Sequence, residues 1–335
     1  MKEEARDKFL LFFQQLGNQY FNPFLIASFI FALLVLLCTE AVTLELNCNG
    51  YMTNQTIFFI RYYFIKHFGR LFGKKLSVDA LFSKRFYRMA NKVRGKVVHR
   101  EADELIYEIK GTENSQNLFY IRTGASSDVL VFSQVFQSKE YEPLINEIQK
   151  RNREADIKFI IDAGANVGYT SVLLKQAFPA ALLLAIEPDE GNAKQIRKNL
   201  TINKIENSEV LQAGLWSEEC WLQLKKERGD GREWAYHVTP SLLPTELKAY
   251  SLSQLLQQHG FTTIDILKID IEGSEAVLFN DELNMMEILK HTRFLAIEIH
   301  DEQANRQHIY TVLKNSNFSF FEQGELTIAT NLSLL

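Results

Sequence analysis

Strands and helices alternate at one-helix, one-strand spacing, and acids and glycines recur at successive strand ends. This predicts an α/β protein with a doubly wound, Rossmann-like sheet. Three observations carry the prediction. The apolar run Phe159-Ile-Ile-Asp162 enters the turn Ala163-Gly164-Ala165-Asn166-Val167-Gly168, which opens a helix at Tyr169. A second apolar run, Leu182–Ile186, ends in Glu187-Pro188, 25 residues after Asp162. A third, Ile264–Ile271, carries Asp270 and Glu272 at its carboxyl end.

The elements follow in order. Leu118–Arg122 reads as a short strand, 123–127 as a polar turn, 128–136 as an apolar-rich segment, and Tyr141–Arg151 follows it. The regular alternation then runs strand Lys158–Asp162, helix Tyr169–Ala177, strand Ala181–Ile186, helix Gly191–Asn203 and strand Ser208–Ala213. A less regular insertion, 214–251, holds Trp216, Trp221, Trp234 and Tyr236, and insertions at strand ends commonly recognise substrate. Strand 264–271, a helical stretch 274–290 and strand Phe294–Ile299 complete the expected sheet.

The turn at Asp162–Gly168 discriminates among cofactors. A dinucleotide fingerprint beginning at Gly164 would require glycine where Asn166 stands and glycine or alanine where Tyr169 stands. No G-K-[ST] follows, which excludes a Walker loop. The remaining reading is a nucleoside turn of the S-adenosylmethionine type, with Asp162 facing the charged amino acid portion of the cofactor. Glu187 is placed to accept both ribose hydroxyls, and Ala213, with its neighbours Gln212 and Gly214, leaves backbone groups for adenine.

The catalytic edge is read at the last two strands. Lys268, Asp270 and Glu272 share one face by parity, as do Glu298 and His300. Ligands of open α/β sheets bind outside the carboxyl ends of the strands. An imidazole with an ordinary pKa of ~6.5 is largely neutral near pH 7 and can accept a proton from a hydroxyl. His300 is therefore the first choice of proton acceptor, with Asp270 or Glu272 second. The Asp/Glu/His cluster could also hold a divalent ion, but no metal-ligand spacing stands out and no metal ligand is assigned. The dispersed Cys38, Cys48 and Cys220 exclude a zinc ribbon, an iron–sulfur site and a disulfide framework.

Taken together, these motifs resemble the FkbM family of S-adenosylmethionine-dependent methyltransferases. The similarity spans roughly Leu118–Asp301 and rests on the order of Arg122, Ser126-Ser127-Asp128, 136–141, 162–168, Glu187-Pro188, 267–275 and 297–300. The resemblance implies a class I methyltransferase sheet and methyl transfer to a hydroxyl oxygen, commonly on sugars, glycolipids or polyketide-type products. It further implies that Asp162, Gly164, Asn166, Gly168 and Glu187 hold the cofactor with Asp270 beside it, and that Arg122 and Ser127 close over cofactor or substrate; Ala165 of the same turn and Ala213 complete the candidate cofactor set.

The amino-terminal part lies outside that resemblance. The chain has 335 residues, 46% of them hydrophobic, and a net charge of −4, yet charge is unevenly spread. Residues 56–100 hold twelve Lys/Arg against the single acid Asp79. No charged residue occurs from Phe9 to Thr39. After a tail of residues 1–19, residues 20–44 could form a transmembrane helix across a core of ~30 Å. Glu3, Glu4 and Asp7 disfavour a signal peptide, whereas a buried core helix would need partners on all sides. Residues 45–116 read as a basic juxtamembrane region, with 117–335 as the catalytic domain. Lysine and arginine after the span favour a cytoplasmic catalytic domain and contact with anionic lipid. The aromatic and basic stretch 58–72 suits a helix lying in the interface, with a second span as the alternative.

The expected partners are a glycan, a lipid-linked saccharide or another hydroxyl-bearing acceptor, together with membrane lipid. A nucleic-acid or protein methyltransferase and a non-catalytic cofactor-binding module are the alternatives. Against the first of these stands the absence of an N-P-P-Y or D-P-P-Y motif. Four Asn-x-Ser/Thr triplets, at Asn54, Asn199, Asn317 and Asn331, matter only in a lumenal chain.

Overall fold

The computed structural model describes residues 78–335, except 102, 111–115, 125, 152–155, 227–235 and 302–303. The described residues lie in one compact unit, Ser77–Leu335. The expected tail, transmembrane helix at 20–44 and interfacial stretch at 58–72 fall outside them. Among the described residues, no helix is long and apolar enough to cross a membrane.

The main sheet has seven strands: β4 (Phe159–Ala163), β5 (Leu182–Ile186), β6 (Ser208–Leu211), β11 (Ile264–Ile269), β12 (Thr292–Glu298), β13 (Phe318–Gln323) and β14 (Leu326–Asn331). Their order is β13-β14-β12-β11-β4-β5-β6, with β14 antiparallel to both neighbours and β12-β11-β4-β5-β6 parallel. Helix α4 (Tyr169–Ala177) follows β4, and α5 (Glu190–Ile202) follows β5. Between β11 and β12 run α7 (Glu275–Asn280) and α8 (Glu282–Lys290), and α9 (Arg306–Asn315) precedes β13. The expected doubly wound sheet is thus present, with the antiparallel β13–β14 hairpin added at one edge.

Every residue of β4 and of β11 is buried. Strands covered by helices on both faces read as near-continuous apolar runs, which is why they were visible in the sequence. The chain leaves β4 toward β5 on one side and returns through β11 on the other. A crevice therefore opens where the strand order reverses, at the carboxyl ends of these two strands.

Two smaller sheets flank this core. The region 45–116 was read as a basic juxtamembrane segment, but its described part folds into the same compact unit as the catalytic domain. It forms α1 (Val78–Lys92), β1 (Gly95–Arg100) and β2 (Glu104–Lys110), and β2 pairs in register with β3 (Gln116–Arg122). Strand β2 buries Leu105, Tyr107 and Ile109 on one face, with Glu104, Glu108 and Lys110 on the other. The meander docks on α5, where Asn199 Oδ1 accepts from Tyr120 N at 2.8 Å and Asn203 Oδ1 from Leu118 N at 3.0 Å. Phe86, Tyr107, Phe119, Phe132 and Tyr169 interlock edge to face beneath it. Asn199 and Asn331 are both buried, so neither could carry a glycan in this fold.

The insertion is more regular than the sequence suggested. β7 (Gly214–Leu215), β8 (Cys220–Lys226), β9 (Tyr236–Ser241) and β10 (Leu247–Tyr250) form a sheet of order β7-β10-β8-β9 around Trp216, Leu222, Leu247 and Ala249. Short strands joined by polar turns hid its period. Helix α6 (Leu252–His259) then leads into β11, opened by a capping box from Ser251 and Gln254.

Close contact at the crevice makes one glycine indispensable. Gly164 has φ +75°, and a Cβ there would lie 1.6 Å from the carbonyl oxygen of Asp270. Gly164→Ala is expected to lower the unfolding free energy by about 3 kcal/mol or more, through overpacking and a left-handed backbone. Denaturant unfolding of the purified chain measures it, and a loss below about 1 kcal/mol would contradict this packing.

Candidate active site

An open cleft lies at the reversal of strand order, where open α/β sheets bind their ligands. Its lining includes Gly164, Asn166, Glu187, Asn192, Ala213, Leu215 and Val238, with Asp270, Glu272 and Ser274 on the β11 side. The two predicted motifs therefore meet across one space. Val238 and Leu215 bring the insertion into its wall.

The turn after β4 is shaped by hydrogen bonds to β5. Gly164 N and Ala165 N both donate to Ile186 O, at 2.9 and 3.0 Å. Asn166 takes φ +51°, a conformation asparagine tolerates better than most residues. Its N–H donates to Glu187 Oε2 at 2.8 Å. Asn166 Oδ1 is buried with no hydrogen-bond partner in the protein, and the residue lines the cleft. An orphaned polar atom at a cleft wall is what a polar ligand would satisfy. Gly168, at φ +83°, instead serves packing: a Cβ there would press on Ile196 of α5 at 3.0–3.1 Å.

Glu187 is only 5% exposed. Besides Asn166 N it accepts from Asp189 N at 2.9 Å and Asn192 Nδ2 at 3.4 Å. Burial pushes its carboxyl up to about 7, against the pull of these hydrogen bonds. Arg122 supports this wall from β3. Its guanidinium clasps fully buried Asp128 and donates to Asn192 Oδ1 at 2.8 Å, which turns the amide NH₂ of Asn192 toward Glu187. Arg122, expected to close over the ligand, thus reaches the cleft through Asn192.

Asp162 stands elsewhere than its motif implied. Its carboxylate is fully buried, accepts from Ser171 Oγ at 2.6 Å and lies 3.2 Å from Lys268 Nζ. It is absent from the cleft lining, as are Ala165 and Gly168. Lys268 Nζ also donates to Gly164 O at 2.6 Å and lies 3.5 Å from Asp270 Oδ2. Lys268 was noted only for its parity, yet it links the two motifs.

At the acceptor end, carboxylates crowd one histidine. His300 Nδ1 lies 3.2 Å from Glu275 Oε1, and its Nε2 lies 3.6 Å from Glu272 and 3.8 Å from Glu298. Burial lowers the His300 pKa, but the Glu275 hydrogen bond and the charges of Glu275, Asp270 and Glu272 outweigh it and raise it to about 9. His300 was expected to be neutral and ready to accept a proton; the carboxylates gathered around it favour its protonated form instead. Burial and Asp270 push Glu272 up to about 7, and the same two causes push Glu298 up to about 8. Glu272 adopts φ +54°, unusual for a side chain of its length, beside Gly273 at φ +94°. Asp270, Glu272 and His300 each offer a donor atom, and these three atoms lie within 4.8 Å of one another. Sequence spacing did not reveal this grouping, since it joins the ends of two strands that are neighbours only in space.

Residues 162–320 match the profile described as the methyltransferase FkbM domain. The methyltransferase sdnD of Sordaria araneosa is 26% identical over 192 residues, which are 48% of this chain and 73% of that protein. Methyltransferase 1 of Beauveria bassiana (strain ARSEF 2860) is 23% identical over 141 residues, 36% of this chain and 56% of that protein. The N-terminal domain of human METTL16 in complex with SAH superposes with a TM-score of 0.38 at 14% identity, covering 85% of this chain and 86% of that one; so loose a superposition carries no weight. The cleft, its two acidic walls and the family match converge: residues 162–320 form an FkbM methyltransferase domain, and the chain is an S-adenosylmethionine-dependent methyltransferase.

Proposed function

We propose that the enzyme methylates a hydroxyl oxygen of a glycan or lipid-linked saccharide, held near its substrate by a membrane segment at residues 20–44 with the catalytic domain on the cytoplasmic side. The observation that carries the reading is the cleft itself. It sets the Gly164–Asn166 turn and Glu187 against Asp270 and Glu272 at the point of strand-order reversal.

S-adenosylmethionine, when bound, supplies a methyl group already made electrophilic by a positive sulfur. The residues present fit such a group: Asn166 Oδ1 lacks a partner, and Glu187 and Asp270 offer carboxylates on opposite walls. Glu187 is assigned to the ribose hydroxyls, Ala213 and its neighbours to the base, and Asp270 to the ammonium end. The protein's remaining task is to align the acceptor oxygen and take its proton. Glu298, beside His300, is the carboxylate assigned to that proton. The apolar run Phe24–Cys38 and the basic stretch after it support the membrane placement. Anchoring would raise the enzyme's effective concentration near a membrane-bound acceptor.

Two measurements test this. Glu187, with its carboxyl raised to about 7, loses its charge as pH falls, and a neutral acid is the poorer acceptor for ribose hydroxyls. Calorimetric titration with S-adenosylmethionine should therefore show several-fold weaker binding at about pH 6 than at about pH 8, with Glu187→Gln binding weakly and without that pH dependence. An unchanged affinity across the range, or wild-type affinity in the variant, would remove Glu187 from the cofactor site. Methyl label offered with total lipid, glycan, RNA and protein fractions should enter the lipid or glycan fraction. Label confined to RNA or protein would overturn the acceptor class and leave the cofactor reading intact.

A further inference from the structure

The acceptor end of the cleft has the construction of a cation site. One donor atom each from Asp270, Glu272 and His300 lie within 4.8 Å of one another. Two ligands bound at ~2.1 Å to one ion stand ~3 Å apart when adjacent and ~4.2 Å when opposite, so only a small closure of these side chains is needed. The set comes from two neighbouring strand ends, β11 and β12, whose carboxyl edges are held in register by parallel pairing from Ile264↔Thr292 to Ile269↔Ile297.

A second observation points the same way. Glu275, outside the trio, is fully buried. Its Oε1 accepts from Ile271 N at 2.9 Å and lies 3.2 Å from His300 Nδ1, while its Oε2 has no hydrogen-bond partner in the protein. A buried carboxylate on one ring nitrogen, with the other nitrogen directed at carboxylates, is the outer-shell arrangement that orients metal-binding histidines. The ring is thereby fixed with Nε2 toward Glu272 and Glu298. Lys268 offsets part of this negative charge, reaching Asp270 at 3.5 Å, but its ammonium is shared with Asp162 and Gly164 O.

We propose that Asp270, Glu272 and His300 bind a divalent cation, and that the acceptor hydroxyl coordinates it. Oxygen donors with a single imidazole suit manganese or magnesium better than a thiophilic ion. Coordination would position the hydroxyl and favour loss of its proton, leaving Glu298 as the uncoordinated carboxylate beside the ion. The role toward the hydroxyl rests on the methyltransferase reading; the binding of the ion does not.

The test is titration of the purified full-length chain with Mn²⁺, followed by the electron paramagnetic resonance signal of the free ion. One saturable site per chain is expected. His300→Ala and Glu272→Gln should each weaken it tenfold or more, and Glu275→Gln should weaken it about tenfold through loss of orientation. Glu287→Gln, on the exposed face of α8, should leave it unchanged. S-adenosylmethionine binding by the same variants reports that they are folded. Absence of saturable Mn²⁺ binding to the wild-type chain, or unchanged affinity in both His300→Ala and Glu272→Gln, would overturn the site. Full methyl transfer in excess chelator, together with no Mn²⁺ binding, would overturn the cation and leave the methyltransferase reading standing.

Discussion

The buried ammonium of Lys268 is the interaction on which the rest of this site depends. It is 2% exposed, faces Asp162 at 3.2 Å, donates to Gly164 O at 2.6 Å and reaches Asp270 at 3.5 Å. Burial alone would lower its pKa, but Asp162, Tyr141 and Asp270 outweigh that and keep it charged. A buried charge missing its partner costs about 3–5 kcal/mol, so the ends of β4 and β11 hold together as one unit. The cofactor turn and the catalytic strand end are thereby placed on either side of a single cation. Gly164 completes the joint, because no side chain fits against the Asp270 carbonyl.

Around that joint the protein carries unfavourable electrostatics. Glu187, Glu272 and Glu298 all have raised carboxyl pKa values, with burial the first cause in each. Glu272 adds a left-handed backbone. Native structures keep such features where function requires them. The two halves differ in what would relieve them. On the Glu187 side the hydrogen bonds from Asn166, Asp189 and Asn192 already point inward, which suits neutral hydroxyl donors. On the Glu272 side the acids face one another across His300, which suits a positive ligand.

Much of this was legible in the sequence, for definite reasons. Strands β4, β5 and β11 are buried on both faces and so read as unbroken apolar runs, and their terminal acids and glycines marked the crevice. Helix Tyr169–Ala177 has the bounds that its turn predicted. What escaped depends on contacts between distant segments. Strands β1 and β2 pair with each other and with β3, and β13 and β14 pair only with each other and β12. Asp162 shows the limit of motif reading at single residues: the motif located the turn, but burial beside Lys268 and Ser171 determines what its carboxylate touches. The charge state of His300 was likewise beyond reach, since it is set by Glu275, Asp270 and Glu272.

The central claim is that one cleft, walled by the β4 turn and the β11 end, takes the cofactor. Hydrogen exchange of the full chain with and without S-adenosylmethionine tests it most directly. The account predicts slowed exchange at the backbone of residues 164–168, 187–192, 213–215 and 270–274, with little change in β1–β3 or the β13–β14 hairpin. Saturating cofactor that protects none of the four segments, or protection confined to the flanking sheets, would contradict it.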